Sequence, residues 1–193
     1  MEKKKLYLEI VNNINVCKNC ALYQERTHAV PGEGSLDAEI MFIGEGPGRE
    51  EDSLGRPFVG AAGHYLDELL EGIGLTRSEV YIGNIIKCRP PNNRTPNLEE
   101  VNACLPYLYA QIAIIEPLII CILGNTALNS LISEKYTIGN VHGRLLEKDG
   151  FNFFPTYHPA AALYQGEKKD VLREDFNKLK NLLENLKKGS LGG

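Results

Sequence analysis

Four cysteines stand in an order that suits a metal. Cys17 and Cys20 form a C-x2-C hook; Cys88 follows an apolar run, and fifteen residues separate it from Cys104. Four thiolates serve tetrahedral zinc or an iron–sulfur cluster, and spacing alone does not choose between them. A zinc ribbon prefers a second close pair, which this chain lacks. Four unlinked structural cysteines are the plainer alternative. The fifth, Cys121 in "LIICILG", reads as a small apolar core residue.

Four polar segments carry the remaining chemistry. "GEGPGREED" (44–52) has alternating glycines and neither the Lys-Ser/Thr of a P-loop nor G-x-G-x-x-G. Its glycines admit a close backbone approach, and Glu45 among them suits holding a water or stabilising a developing cation. Gly46 shares that turn. Glu50, Glu51 and Asp52 read as a solvated or helix-capping run. "GRPFVGAAG" (55–63) offers Phe58 as core, or as a platform for a flat ligand. In "NIIKCRPPNNR" (84–94), Asn84 places a donor and an acceptor side by side in an apolar strand, a pairing that reads a nucleobase edge. Lys87, Arg89 and Arg94 form a local basic patch suited to phosphate. "HPAA" (158–161) puts His158 at a strand end, as a hydrogen-bond donor to a leaving anion. His28, His64 and His142 have no such company.

Alternating elements must position these segments. "AEIMFIG" (38–44), "VYIGNIIK" (80–87), "PLIICILG" (117–124) and "FNFFPTYH" (151–158) read as buried strands, with helical patterns between them. Tyr65, Leu66, Leu69, Leu70 and Ile73 share one helical face, with Gly74 as the stop. Asn97 and Glu100 form a capping box ahead of a helix that Pro106 is expected to kink. Such alternation favours a parallel sheet covered on both faces, with ligands at the strands' carboxyl ends. Those ends carry "GEGPGREED", "KCRPPNNR", "GNTA" and "HPAA", and all four then meet at one edge.

The chain has 193 residues, 43% of them apolar and 24% charged, within reach of one domain. Residues 1–188 are taken as that domain and 189–193 as a disordered tail. A net charge of −4 argues against coating nucleic acid by charge alone, though not against a local basic site. No apolar run reaches membrane length, and the N-terminus does not read as a signal peptide. A cytoplasmic, monomeric protein is expected, with no membrane partner.

Together, "GEGPGREED", "GRPFVGAAG", "NIIKCRPPNNR", "LGNTAL", "TYHPAA" and the cysteine spacing closely resemble the family 4 uracil-DNA glycosylases, the iron–sulfur branch of their superfamily. The match runs from about Cys17 to about Leu163. The resemblance implies a three-layer α/β/α sandwich around a four-stranded parallel sheet. It implies a structural 4Fe–4S cluster on Cys17, Cys20, Cys88 and Cys104. It casts Phe58 as the stacking face for a flipped uracil, Asn84 as the uracil reader and His158 as the donor to uracil O2. Glu45 and the backbone of Gly46 correspond to the catalytic turn. Asn125 and Thr126 in "GNTA" correspond to a phosphate-binding helix start, and Leu163 to the wedge that fills the emptied stack. Ala160 stands where many relatives carry a serine.

The resemblance implies a monofunctional DNA-repair hydrolase acting on uracil-containing DNA, single- or double-stranded. The inserted basic loop of the DNA-crosslinking branch is absent after Phe58. Two alternatives stand beside this reading: a non-catalytic, metal-stabilised nucleic-acid-binding module, and a broader glycosylase acting on hypoxanthine or other deaminated bases. A contact with a replication clamp is not legible in the sequence.

Overall fold

The computed structural model describes residues 2–190, with residues 189 and 190 described by their backbone alone. Helix α1 (Glu2–Val16) leads into strand β1 (Glu33–Gly34), β2 (Ile40–Gly44) and helices α2 (Arg49–Leu54) and α3 (Ala61–Gly72). Strand β3 (Tyr81–Asn84), helix α4 (Leu98–Ile115), β4 (Ile119–Leu123), α5 (Asn125–Leu131) and α6 (Ile138–Val141) follow. The chain ends with β5 (Leu146–Lys148), β6 (Phe151–Thr156), α7 (Pro159–Tyr164) and α8 (Glu167–Ser190). Helix α8 includes residues 189 and 190 of the expected tail, and residues 191–193 lie outside the described residues.

The sheet has six strands in the order β1-β3-β2-β4-β6-β5. The inner four, β3-β2-β4-β6, are parallel, as the four apolar runs predicted. Two short strands missed in the sequence, β1 and β5, pair antiparallel at the edges. They are too brief and too polar to show a period-two pattern. The inner strands β2, β3 and β4 are buried throughout. This is the mark of a sheet covered on both faces, where each side chain finds an apolar partner whichever way it points. Met41 and Ile43 join the core beneath α4, α5 and α6; Ile40 and Phe42 join the one beneath α3 and α8.

Helix chemistry accounts for the connections. The Asn97 side chain accepts from Glu100 N, and Glu100 in turn accepts from Asn97 N, both at 2.9 Å, closing the capping box. Helix α4 continues through Pro106 to Ile115. In α3 the five residues predicted for one face are all buried, and Gly74 at φ +79° turns the chain away. Leu172, Phe176, Leu179 and Leu183 carry α8 onto the sheet.

Register decides what the sheet presents. Gly44 stands opposite Asn84, and Leu123 opposite Thr156. The parallel strands therefore end level, and the segments after them share one edge.

Candidate active site

A cleft of about 630 Å³ opens at that edge. Glu45, Gly46, Phe58, Asn84 and His158 all line it, with Arg94 and Leu163 also on its wall. Five segments far apart in sequence converge because parallel strands deliver their C-terminal ends to one side.

Asn84 is the last residue of β3 and only 2% exposed. Its Oδ1 has no hydrogen-bond partner in the protein, the sole buried side-chain N or O so placed among the described residues. Buried polar atoms are nearly always paired, so an open acceptor on a cleft wall marks a place for a donor. Phe58 sits beside it. A Cβ added at Gly44 would lie 2.6 Å from Asn84 Oδ1 and 2.7 Å from Phe58 Cζ. Glycine there lets both groups close on the strand end. Phe58 is buried and adopts φ +51°, a region bulky residues avoid.

His158 caps α7, and Pro159 occupies the first helical position. Its Nδ1 accepts from Ala160 N at 3.1 Å. That bond puts the ring proton on Nε2. Burial pushes the imidazole down to about 4, against an opposing pull from Glu51, so the ring is neutral at pH 7. Its ring lies 5.4 Å from that of Phe58, at 24° to it. The site thus holds one open acceptor and one neutral N–H donor.

Glu45 follows β2 directly, half-buried. Thr126 Oγ1 donates to its Oε2 at 2.5 Å. Gly46 is needed for space: a Cβ there would lie 2.7 Å from Ile86 Cγ1.

The expected DNA-contacting side chains divide, and Lys87 alone of them is buried. Lys87 is 1% exposed; its Nζ donates to the Asn84 carbonyl at 2.9 Å and to Gln111 Oε1 at 2.8 Å. Burial pulls the ammonium down to about 8, countered by Cys104. A phosphate on the surface does not reach this group, so Lys87 belongs to the interior and leaves the basic patch. Its charge is no guide to this, because a long side chain reads alike folded inward or outward. Thr126 serves Glu45, and Asn125 Oδ1 accepts from Ile138 N at 2.8 Å; neither residue lines the cleft. Arg89 lies outside the lining too, its Nε donating to Asn93 Oδ1 at 2.6 Å. Arg94 stays at the rim, forked onto Glu100 at 2.6 and 2.8 Å. The acidic run also divides. Asp52 is buried and accepts from Thr27 N at 2.9 Å, while Glu51 caps α2.

Cys17, Cys20, Cys88 and Cys104 line one small cavity behind Lys87. Among the described residues no set of three or more His, Cys, Asp or Glu closes on a single metal ion. A polynuclear cluster bonds different thiolates to different irons, so the sulfurs need not share one ion. Donor chemistry fits such a group: Lys87 N donates to Cys104 Sγ at 3.2 Å and Arg26 Nη1 to Cys88 Sγ at 3.0 Å. Burial raises the Cys88 thiol and pushes Cys104 up to about 11, so ligation must displace their protons.

A family model described as the uracil DNA glycosylase superfamily matches residues 31–186, from ahead of β1 to within α8. The chain belongs to that superfamily. Type-4 enzymes are among the similar proteins. A type-4 uracil-DNA glycosylase of Sulfurisphaera tokodaii is 48% identical over 184 residues, 90% of this chain and 83% of the relative. One of Saccharolobus solfataricus is 47% identical, covering 90% and 85%. One of Thermotoga maritima is 45% identical, covering 95% and 98%.

Proposed function

We propose that this chain is a uracil-DNA glycosylase that draws deoxyuridine out of DNA, hydrolyses its N-glycosidic bond and leaves an abasic site without cutting the strand. The observation that carries the reading is the open Asn84 Oδ1 beside Phe58. Uracil offers N3–H as donor and O4 as acceptor, and a carboxamide meets both. Cytosine offers an acceptor at N3 and a donor at N4, which would leave buried polar groups unpaired at about 1–3 kcal/mol each. The relatives' names point to the same substrate.

An extruded base stacks on Phe58, offsetting part of an unstacking cost on the order of a few kcal/mol. Bond breaking then runs ahead of attack. The C1′–N1 bond opens, its electron pair leaves with uracil, and the sugar gains oxocarbenium character. His158 Nε2–H donates to O2 as charge gathers there, its tautomer preset by Ala160 N. A water held by Glu45 adds its oxygen to C1′ and yields a proton to the carboxylate, which the Thr126 hydroxyl orients. Thymine differs only by a methyl, and its steric exclusion falls in this reading to Glu45 and the adjoining turn. Among the described residues no lysine lines the cleft, which supports hydrolysis by water over capture by an amine. Leu163, on α7 at the wall, is the side chain for the emptied stack, and Arg94 the rim cation for phosphate.

The four cysteines hold a 4Fe–4S cluster in this reading. Cys17 and Cys20 beyond α1, Cys88 beyond β3 and Cys104 on α4 would hold it, and their joint attachment would brace the loop behind Asn84. Iron and sulfide analysis of the purified protein checks it; four irons per chain are expected, and one zinc would overturn it.

The deciding experiment is base release from an oligonucleotide carrying one uracil, with alkali to reveal the abasic site and thymine, cytosine and hypoxanthine controls. Release of uracil alone is expected. Binding without release would favour a non-catalytic module, and release of hypoxanthine a broader glycosylase.

A further inference from the structure

The base platform is held by two side chains, Arg77 and Glu51, of which Glu51 also lines the cleft. Phe58 keeps a left-handed backbone, and the peptide groups on either side of it are gripped from two directions. Arg77 Nη2 donates to Pro57 O at 2.7 Å and Nη1 to Phe58 O at 3.0 Å. From the other direction, Glu51 Oε1 accepts from Val59 N and Gly60 N, both at 2.9 Å. Four consecutive residues, 57 to 60, thus give their backbone polar groups to two side chains.

Both grips are themselves fixed. Arg77 is paired with Glu33 at 2.6 Å and Asp67 at 3.0 Å, and its side chain is only 21% exposed. The second oxygen of Glu51 accepts from Gly48 N at 3.1 Å. Gly48 closes the turn that carries Glu45, so one carboxylate ties the catalytic turn to the platform loop. Gly63 allows the close approach beneath: a Cβ there would lie 1.8 Å from Phe58 O. A loop held in an avoided conformation by ionic groups is a pre-organised element, since the bonds that hold it are made before the base arrives.

We propose that Glu51 and Arg77 are positioning residues for base recognition, clamping Phe58 so that its ring meets a flipped uracil. The proposal rests on the reading of Phe58 as the stacking face. Arg77 acts through Phe58 alone, and Glu51 through Phe58 and through the Gly48 turn. Arg77→Lys keeps a cation for Glu33 and Asp67 but loses the fork that spans two carbonyls. Glu51→Gln keeps one acceptor and replaces the other with a donor that faces an N–H.

The test is a double-mutant cycle on uracil-containing DNA. Single-turnover rate and inhibition by free uracil are measured for Arg77→Lys and Glu51→Gln, alone and in the Phe58→Ala background. Displacement of a stacking group by about 1 Å costs on the order of 100-fold, so each single change is expected to weaken rate and uracil binding by about 10- to 100-fold. In the Phe58→Ala background Arg77→Lys is expected to cost less than about twofold, because the group being positioned is gone, and Glu51→Gln is expected to cost less than in the parent, keeping only the part that acts through the Gly48 turn. Affinity for abasic-site DNA, which has no base to stack, stays within about twofold. Equal losses in both backgrounds would overturn the proposal and leave a general stabilising role. If Arg77→Lys is unfolded at the assay temperature, the Glu51→Gln cycle decides alone. An unmutated protein that releases no uracil overturns the glycosylase reading and the clamp with it; turnover with an additive cycle overturns the clamp only.

Discussion

Asn84→Leu is expected to make the protein more stable and nearly inactive. The two side chains have similar shapes, and the position is 2% exposed. In the free protein Oδ1 is buried without a donor. An unsatisfied buried polar group costs about 1–3 kcal/mol, and an apolar group of the same shape removes that cost. A gain of about 1–3 kcal/mol raises the melting temperature of a chain this size by about 2–4 °C per kcal/mol. Activity moves the other way. Uracil N3–H and O4 would both be buried unpaired at about 1–3 kcal/mol each, so the single-turnover rate falls between about 30-fold and about 10⁴-fold. Thermal unfolding and base release on one preparation read both effects. A folded Asn84→Leu protein that melts below the parent would refute the reasoning, since Oδ1 would then be making a bond that stabilises the fold. Such opposed changes are expected where a site holds a polar group open for its ligand.

Two further predictions test the donor and the carboxylate. His158 has its folded pKa lowered from 6.5 to about 4 by burial, so between those values the unfolded chain binds a proton that the folded one refuses. Stability therefore falls as pH drops through this window, by about 2 kcal/mol at pH 5; denaturant titrations at pH 5 and 7.5 should show that loss in the parent and not in His158→Gln. Thr126→Val removes the hydroxyl that donates to Glu45 Oε2. A charge-assisted bond of about 1.5–3 kcal/mol is lost, so the single-turnover rate is expected to fall about 10- to 100-fold while Thr126→Ser holds near the parent; equal rates for Val and Ser would remove Thr126 as the support of Glu45.

The sequence by itself determined the alternation of elements. Buried parallel strands read as unbroken apolar runs, so β2, β3, β4 and β6 were legible, as was the helix start at Asn97, where the cap is local chemistry. It also determined which polar segments share an edge, because strand polarity and parallel pairing leave no other arrangement. The two edge strands were not legible: they owe their form to neighbours across the sheet, not to their own pattern.

Direction was the property the chain order withheld. Lys87 carries a charge, yet it turns inward because Gln111 and the Asn84 carbonyl receive it there. Thr126 left the expected phosphate site for Glu45, eighty-one residues earlier in the chain. Glu51 and Asp52 are adjacent in an acidic run, but one holds the Phe58 loop and the other a buried amide of Thr27. Arg77 showed no signal at all, since its two carbonyl partners lie nineteen and twenty residues away and carry no residue type to recognise. The local sequence sets what a segment forms from its own backbone and near neighbours. Which way a long polar side chain points is decided by partners distant in the chain, and those exist only once the sheet has brought them together.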